Sequence, residues 1–553
     1  MRSSFERVCF LITGLALCAA SVCAQVPDKA NVIAGAERAV EKAAKSLTNP
    51  SPGGVVGVSL DGVAVFEKAF GMAEMEHRIP NTPRTIFESG SVAKQFVAAS
   101  LVLLAQEGKL RLDDPVRKYI PELPDYGANL TIRHLLNHTA GLRDWGAVMA
   151  LTGVGRGDRV ISQDVAIDVI VRQKGLNFVP GAEYSYSNSG YQLATEIVER
   201  VSGQKLPEFT QERFFKPLGM MSSSWRDDYQ RLVPNRAQAY ARNSKGEWRL
   251  DMPFMNVYGN GGMLTTVGDW LKWNAMLDSR SPGAPLVEAM ETRGVLNDGR
   301  TIEYALGLVV GEYKGIREIS HGGVTAGYRT FLARYPDKKL SVAVMCNGAP
   351  QDPAGLAHRV VEEILGPFPK VAEPETVDLP ETGLQQYVGL WGNPRTHVAE
   401  STVVDKGALR FGNKPLKATP DGSFRLGSPR VTFVPGPDGK PAFMDVESAG
   451  ATERWVAEAS WTPTAAEMAA IAGDWYSEEA QAKVTIAVEN GKAAFVNKPL
   501  FRHELKPTFK DHFTAGDGNV AWVTRTPNGA VERLHVGSAR MRDMPFERVQ
   551  KSN

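Results

Sequence analysis

A proline- and charge-rich stretch at residues 366–381, GPFPKVAEPETVDLPE, divides the chain into two parts that follow different patterns. It carries no apolar period and reads as a linker. Before it, helix-like and strand-like segments alternate. After it come short strand-like runs separated by PDG, PG, DG and NG turns, an all-β signature. No single fold accommodates both patterns, and 553 residues leave room for several domains.

The later part contains a repeat. YVGLWG at Tyr387 matches IAGDWY at Ile471, and NKPL at Asn413 matches NKPL at Asn497, both at an offset of 84. Phe424 and Phe433 match Phe513 and Trp522 at an offset of 89, a drift that one small loop insertion explains. Two copies of an 80–90-residue unit fit two small all-β barrels or sandwiches, joined near residues 460–464.

In the earlier part, residues 54–73 read as two strands joined at Asp61-Gly62, a strong hairpin signal. Residues 91–107 read as a buried helix closed by Gly108, and residues 191–201 as a helix closed by Gly203. YRTFLARYPDKKLSVAVMCN reads as a hairpin turning at Pro336-Asp337, followed by a helix over 355–365. Strands at both ends with helices between imply a mixed α/β domain with an antiparallel sheet.

The N-terminus reads as a leader. Arg2 and Arg7 precede an apolar run at residues 8–20, and Val22-Cys23-Ala24 offers a cleavage site before Gln25. A secreted or periplasmic location follows as an expectation, with no transmembrane anchor. Three of the four cysteines lie in this leader, so Cys346 has no partner and reads as a buried small hydrophobe. A formal net charge of +1 gives no reason to expect nucleic acid or an anionic membrane as partner.

Three short stretches carry chemistry. In GSVAK, Ser91 and Lys94 stand three apart and share a helical face. A serine hydroxyl needs a base to become a nucleophile, and a lysine beside apolar surface can serve. The plain alternative is an N-cap serine and a snorkelling lysine. In EYSYSNSGY, Tyr186 and Asn188 place a phenol and a carboxamide two apart before a helix, where capping is the alternative. In SHGGVTAGY, His321 precedes two glycines that let a backbone or ligand approach, where a bulge with a surface histidine is the alternative.

In this order and spacing the three stretches resemble the serine β-lactamase and penicillin-binding-protein superfamily, in which S-x-x-K is joined by S-D-N and K-T-G elements. Here Y-S-N and H-G-G stand in the last two places, as in the branch of class C β-lactamases, D-alanyl-D-alanine carboxypeptidases, D-aminopeptidases and related esterases. LLNHTAGLRDW, GNGGMLTTVGDWLKW and PLGM also look familial. The resemblance implies an acyl-enzyme at Ser91, Lys94 as general base coupled to Tyr186, and Tyr186 returning a proton to the leaving group. It implies that Asn188 binds a substrate amide and that His321 lines the leaving side. The backbone N–H groups of Ser91 and of Val324, just past Gly323, would form the oxyanion hole. No metal or cofactor is implied, and His134 and His138 read as structural.

One departure bears on the substrate. His321 and Gly322 replace the lysine and threonine that would cradle a substrate carboxylate. This weighs against carboxypeptidase or β-lactamase activity, with Arg329 or Thr325 able to compensate. The two β-units resemble those of D-aminopeptidases, in which a barrel loop approaches the cleft; residues 507–518 are the loop expected to do so here.

The expectation is thus an α+β chain: leader 1–24, a β-lactamase-like domain 25–366, linker 367–382, and barrel-like repeats 383–461 and 462–553. It is a serine hydrolase acting on D-amino-acid peptides, amides or esters. The alternatives are a β-lactamase or D-alanyl-D-alanine carboxypeptidase or, from another class, an idle module binding cell-wall material.

Overall fold

The computed structural model describes residues 26–47, 50–153, 159–281, 283–368, 374–448, 450–498, 501–516 and 518–550. The expected leader at 1–24, residues 369–373 of the linker and Pro499-Leu500 of the second NKPL lie outside them.

The mixed domain is built on a six-stranded antiparallel sheet. Its strands are β1 (Gly54–Leu60), β2 (Val63–Phe70), β3 (Val309–Tyr313), β4 (Ile316–Thr325), β5 (Tyr328–Tyr335) and β6 (Leu340–Cys346), in the order β3-β4-β5-β6-β1-β2. β1 and β6 pair across nearly 300 residues of chain, Val56 facing Val344, and are buried on both faces. That is why both read as unbroken apolar runs rather than alternating ones. Asp61 and Gly62, both at positive φ, make the β1–β2 turn, as the hairpin signal requires. Cys346 is buried and forms no disulfide among the described residues.

One face of the sheet is covered by α1 (Lys29–Lys45) and α5 (Pro353–Leu365). Val32, Ala36, Ala39 and Val40 pack there with Leu356, Val360 and Val361 over Val58 and Val342. α1 was not evident from the sequence, because three of its inward positions are glycine or alanine. The other face carries α2 (Lys94–Gln106), α3 (Asn188–Ser202) and α4 (Val267–Ser279). Ten of the thirteen residues of α2 are buried, Lys94 among them. A helix apolar all round must be enclosed, and α2 crosses the domain's interior beside α3.

The two β-units share one succession of strands. Strands begin at Gly389, Ala399, Ala408, Arg430, Pro441 and Ala451 in the first, and at Gly473, Ala482, Lys492, Val520, Val531 and Met541 in the second. Each is preceded by a short helix, Glu381–Leu384 and Ala465–Ile471, and each buries its repeat tryptophan, Trp391 or Trp475. The second unit is a closed eight-stranded barrel. The first is a nine-stranded sheet whose end strands, Lys414–Pro415 and Lys417–Ala418, are consecutive in the chain, so it is nearly closed. In the second unit Lys498 pairs with Phe501 and the ladder runs through that corner. Among the described residues no helix is long and apolar enough to cross a membrane.

Candidate active site

The expected helix over 91–107 begins differently in the structure. Gly90–Ala93 forms a 3₁₀ turn and the α-helix starts at Lys94. The correction matters, because three residues per turn eclipse positions i and i+3. Lys94 therefore stands over Ser91, with Nζ 3.1 Å from its Oγ.

Two glycines bring this turn against β4. A Cβ on Gly90, at φ +53°, would come within 2.6 Å of Val324 N. A Cβ on Gly323 would lie 2.0 Å from Ser89 O and 2.3 Å from Thr330 Oγ1. Only glycine permits both approaches, and they set the Val324 N–H beside the turn that carries Ser91.

Lys94 is wholly buried. Besides Ser91, its Nζ lies 3.0 Å from Asn188 Oδ1 and 2.5 Å from the Asn260 carbonyl. Both of these oxygens can only accept. The Asn188 and Asn260 oxygens thus hold the Lys94 amine within hydrogen-bond reach of the Ser91 hydroxyl. Asn188 is held for this task by Asp144, whose Oδ2 accepts from Asn188 N at 2.8 Å and Nδ2 at 2.9 Å. The other oxygen of Asp144 caps the short helix Trp145–Ala150. Neither Asn260 nor Asp144 was singled out from the sequence, although GNGGM and LRDW contain them.

Tyr186 lies between Lys94 and the mouth. Lys94 Nζ is 5.0 Å from its ring centroid. Its hydroxyl is buried and makes no well-formed hydrogen bond among the described residues. Burial pushes the phenol pKa well up, with the Ser91 hydroxyl acting in the opposite sense. Tyr186 therefore stands protonated, as a proton donor.

His321 is on β4, buried, and not the surface histidine of the plain alternative. Nδ1 lies 2.6 Å from Gly322 O, which can only accept, so Nδ1 carries the proton and Nε2 accepts from Tyr304 Oη at 2.8 Å. Burial, with Lys94 nearby, lowers its pKa to about 4. The ring is neutral at pH 7 with both nitrogens engaged. Tyr304 escaped the sequence reading. His138 fits the structural reading: Nδ1 accepts from Ser187 N at 3.3 Å and its ring lies on Tyr186, centroids 4.0 Å apart. His134 completes a capping box with Thr131.

The cavity over Ser91 has a volume of about 350 Å³. Tyr186, Asn188, Asn260, His321 and Val324 line it, so the structure gathers the residues of all three motifs. Gly323 lies between the lining residues Gly322 and Val324, at the close approach described above. The Arg329 guanidinium donates to the Ala326 and Tyr328 carbonyls and is not among the residues that line the cavity, whereas Thr325 lines it with Oγ1 3.3 Å from Glu88. The described residues of the 507–518 loop do not line the cavity, contrary to expectation. Phe509 stacks on His512, and His512 on His397 of the first β-unit. The turn that enters joins the strands Val531–Ser538 and Met541–Arg548, where Arg540 lines the cavity with its guanidinium 5.1 Å from the Tyr186 ring centroid.

That turn is clamped in place. The Arg540 carbonyl accepts from Asp144 N at 3.0 Å and Asn177 Nδ2 at 3.1 Å. Arg143 and Glu479 form a buried ion pair at 2.6 Å between domain and barrel, and Arg542 pairs with Glu183 at 2.8 Å.

The Beta-lactamase family model matches residues 37–365. A D-aminopeptidase of Cereibacter sphaeroides is 27% identical over 531 residues, covering 92% of this chain and 99% of the relative. A D-aminopeptidase of Gluconobacter oxydans is also 27% identical over 531 residues, covering 90% and 96%. Among solved structures, the octameric penicillin-binding protein homologue from Pyrococcus abyssi superposes with a TM-score of 0.55 at 23% identity, covering 84% of this chain and 98% of the homologue.

Proposed function

We propose that this chain, which belongs to the Beta-lactamase family, is a serine hydrolase that forms an acyl-enzyme at Ser91 and cleaves amides and peptides of D-amino acids. The observation that carries the reading is the fully buried Lys94, whose Nζ is held by the Asn188 and Asn260 oxygens at 3.1 Å from the Ser91 Oγ. Lys94 takes the hydroxyl proton as Oγ attacks the substrate carbonyl. The N–H groups of Ser91 and Val324 receive the oxyanion, a role whose loss costs about 10²–10³ in rate. Tyr186 protonates the departing amine, and water then releases the acyl group with the same residues acting in reverse. His321, neutral and held by Tyr304, shapes the wall and transfers no proton in this scheme.

The preference for D-residues is supported by the D-aminopeptidases that match over nearly their whole length. Peptides of cell-wall type are then natural substrates. The leader reading of residues 1–24 supports a secreted or periplasmic enzyme. N-terminal sequencing of the mature protein should begin at Gln25; a chain that keeps Met1 sinks that reading.

A fluorophosphonate should add its mass at Ser91, and Ser91→Ala should abolish the adduct without unfolding the protein. Failure of wild-type protein to label, with no turnover of D-amino-acid amides, would leave the idle module as the better account.

A further inference from the structure

The ionisable groups around the cavity are unevenly matched. Glu88 is wholly buried, and both its oxygens are taken by Arg226 at 2.8 and 3.0 Å, with Arg236 at 3.5 Å. Asp144 spends its carboxylate on Asn188 and the Trp145–Ala150 helix. Glu183 is held outside the cavity by Arg395 and Arg542. Tyr186 is protonated and His321 neutral. No carboxylate lining the cavity is left to receive an ammonium, among the described residues. The one charged side chain at the mouth that makes no ion pair among them is Arg540. It is exposed, it lies against the face of Tyr186, and its own carbonyl is fixed by Asp144 and Asn177.

We propose that Arg540 is a specificity-determining residue that selects substrates carrying a carboxylate close to the scissile carbonyl, so that the second β-unit sets the substrate class. A guanidinium is built to meet a carboxylate with two parallel N–H bonds. This one is already aimed: the backbone is clamped and the Tyr186 ring supports the cation, so little rotamer freedom remains to be lost on binding. A substrate presenting only an ammonium at this end meets a like charge and no acceptor. The carboxylate has two sources, the C-terminus of a short D-peptide or the side chain of a D-glutamyl or D-aspartyl residue.

The inference rests on the acyl-enzyme reading, and its test separates the two. kcat/KM is measured for two isosteric pairs: D-alanyl-D-alanine against its C-terminal amide, and D-glutamyl against D-glutaminyl p-nitroanilide. Each pair is run on the full-length wild type, Arg540→Ala and Arg540→Glu. At least one pair should favour the carboxylate by about tenfold or more in the wild type, as expected of a charge-assisted hydrogen bond. The pair that does so names the source. Arg540→Ala should bring that ratio to about unity, Arg540→Glu should invert it, and added salt should shrink it in the wild type. A merely structural arginine would not invert the ratio on charge reversal. Turnover with ratios near unity in the wild type, or equal in wild type and Arg540→Glu, overturns this inference alone. Absence of both turnover and Ser91 labelling overturns the hydrolase reading and this inference with it.

Discussion

The two β-units descend through the chain strand by strand in the same order, yet they stand in opposite relations to the rest of the molecule. The first keeps its own core: Trp391, Leu409, Phe424, Val431 and Met444 pack with one another in a separate cluster. The second has no boundary of that kind. Val536 and Met541 of the barrel belong to the same apolar cluster as Val148 and Leu151 of the mixed domain. It also supplies Glu479 to a buried ion pair and Arg540 to the cavity. A repeat therefore specifies a scaffold and says nothing of its use. What distinguishes the copies is a handful of side chains on two of the barrel's hairpins.

The most severe way to break the comparison is to remove each unit's support in turn. Truncation after residue 461 should abolish hydrolysis, because it strips apolar surface from the mixed domain and leaves Arg143 buried without its acid. Trp391→Ala, which costs about 3–5 kcal/mol, should instead melt the first unit alone. Calorimetry would show an early transition separated from an unaltered main one, with turnover retained below it. A single merged transition would show that the units are not energetically distinct.

Next in size is Glu479→Ala. Breaking a buried pair from one side costs about 3–5 kcal/mol, and here the loss should fall on the main transition in chemical denaturation. Smaller is Asp144→Asn, which frees the Asn188 carboxamide that orients Lys94. Misplacement of this order costs about 10² in rate, so Ser91 labelling should slow by about that factor.

The smallest effect is on pH. Burial, with His512 alongside, lowers the pKa of His397 to about 4 at the junction between the units. In the unfolded chain a histidine titrates near 6.5. Between pH 6.5 and 4 the unfolded state thus binds a proton that the folded state does not. Stability falls as the pH drops through that window. His321 contributes in the same sense. Denaturation midpoints at pH 7, 5 and 4 should decline for the wild type, and His397→Gln should flatten the decline in the first unit's transition only.

What could be read from the sequence follows from how each residue acts. Ser91, Lys94, Tyr186, Asn188 and His321 act through side chains within short motifs, and the structure sets four of them in the wall of one cavity with Lys94 buried beside Ser91. Asn260 acts through its carbonyl, which any residue type could supply, so only its flanking glycines hinted at it. Asp144 was not singled out, because an acid before a short helix is an ordinary cap, and its second oxygen is what matters at the site. Arg540 could not be found, because its relevance depends on docking a barrel whose own motif carries no chemistry. The expected loop at 507–518 was the wrong hairpin of the right unit: aromatic His512 and Phe509 commit that loop to the neighbouring unit. The repeat itself was legible because tryptophan, turn glycines and NKPL recur in register.

The clamp between Asp144 and Arg540 has a consequence in time. Ser91, Lys94 and the sheet that frames them emerge early from the ribosome, whereas Arg540 is made hundreds of residues later. Until that turn docks, the Asp144 N–H has no carbonyl to receive it and the mouth of the cleft has no cation. A partly synthesised chain thus holds its nucleophile in an unfinished cleft. On the proposed role of Arg540, the reactive serine meets its substrate filter only once the second β-unit has been made and has docked.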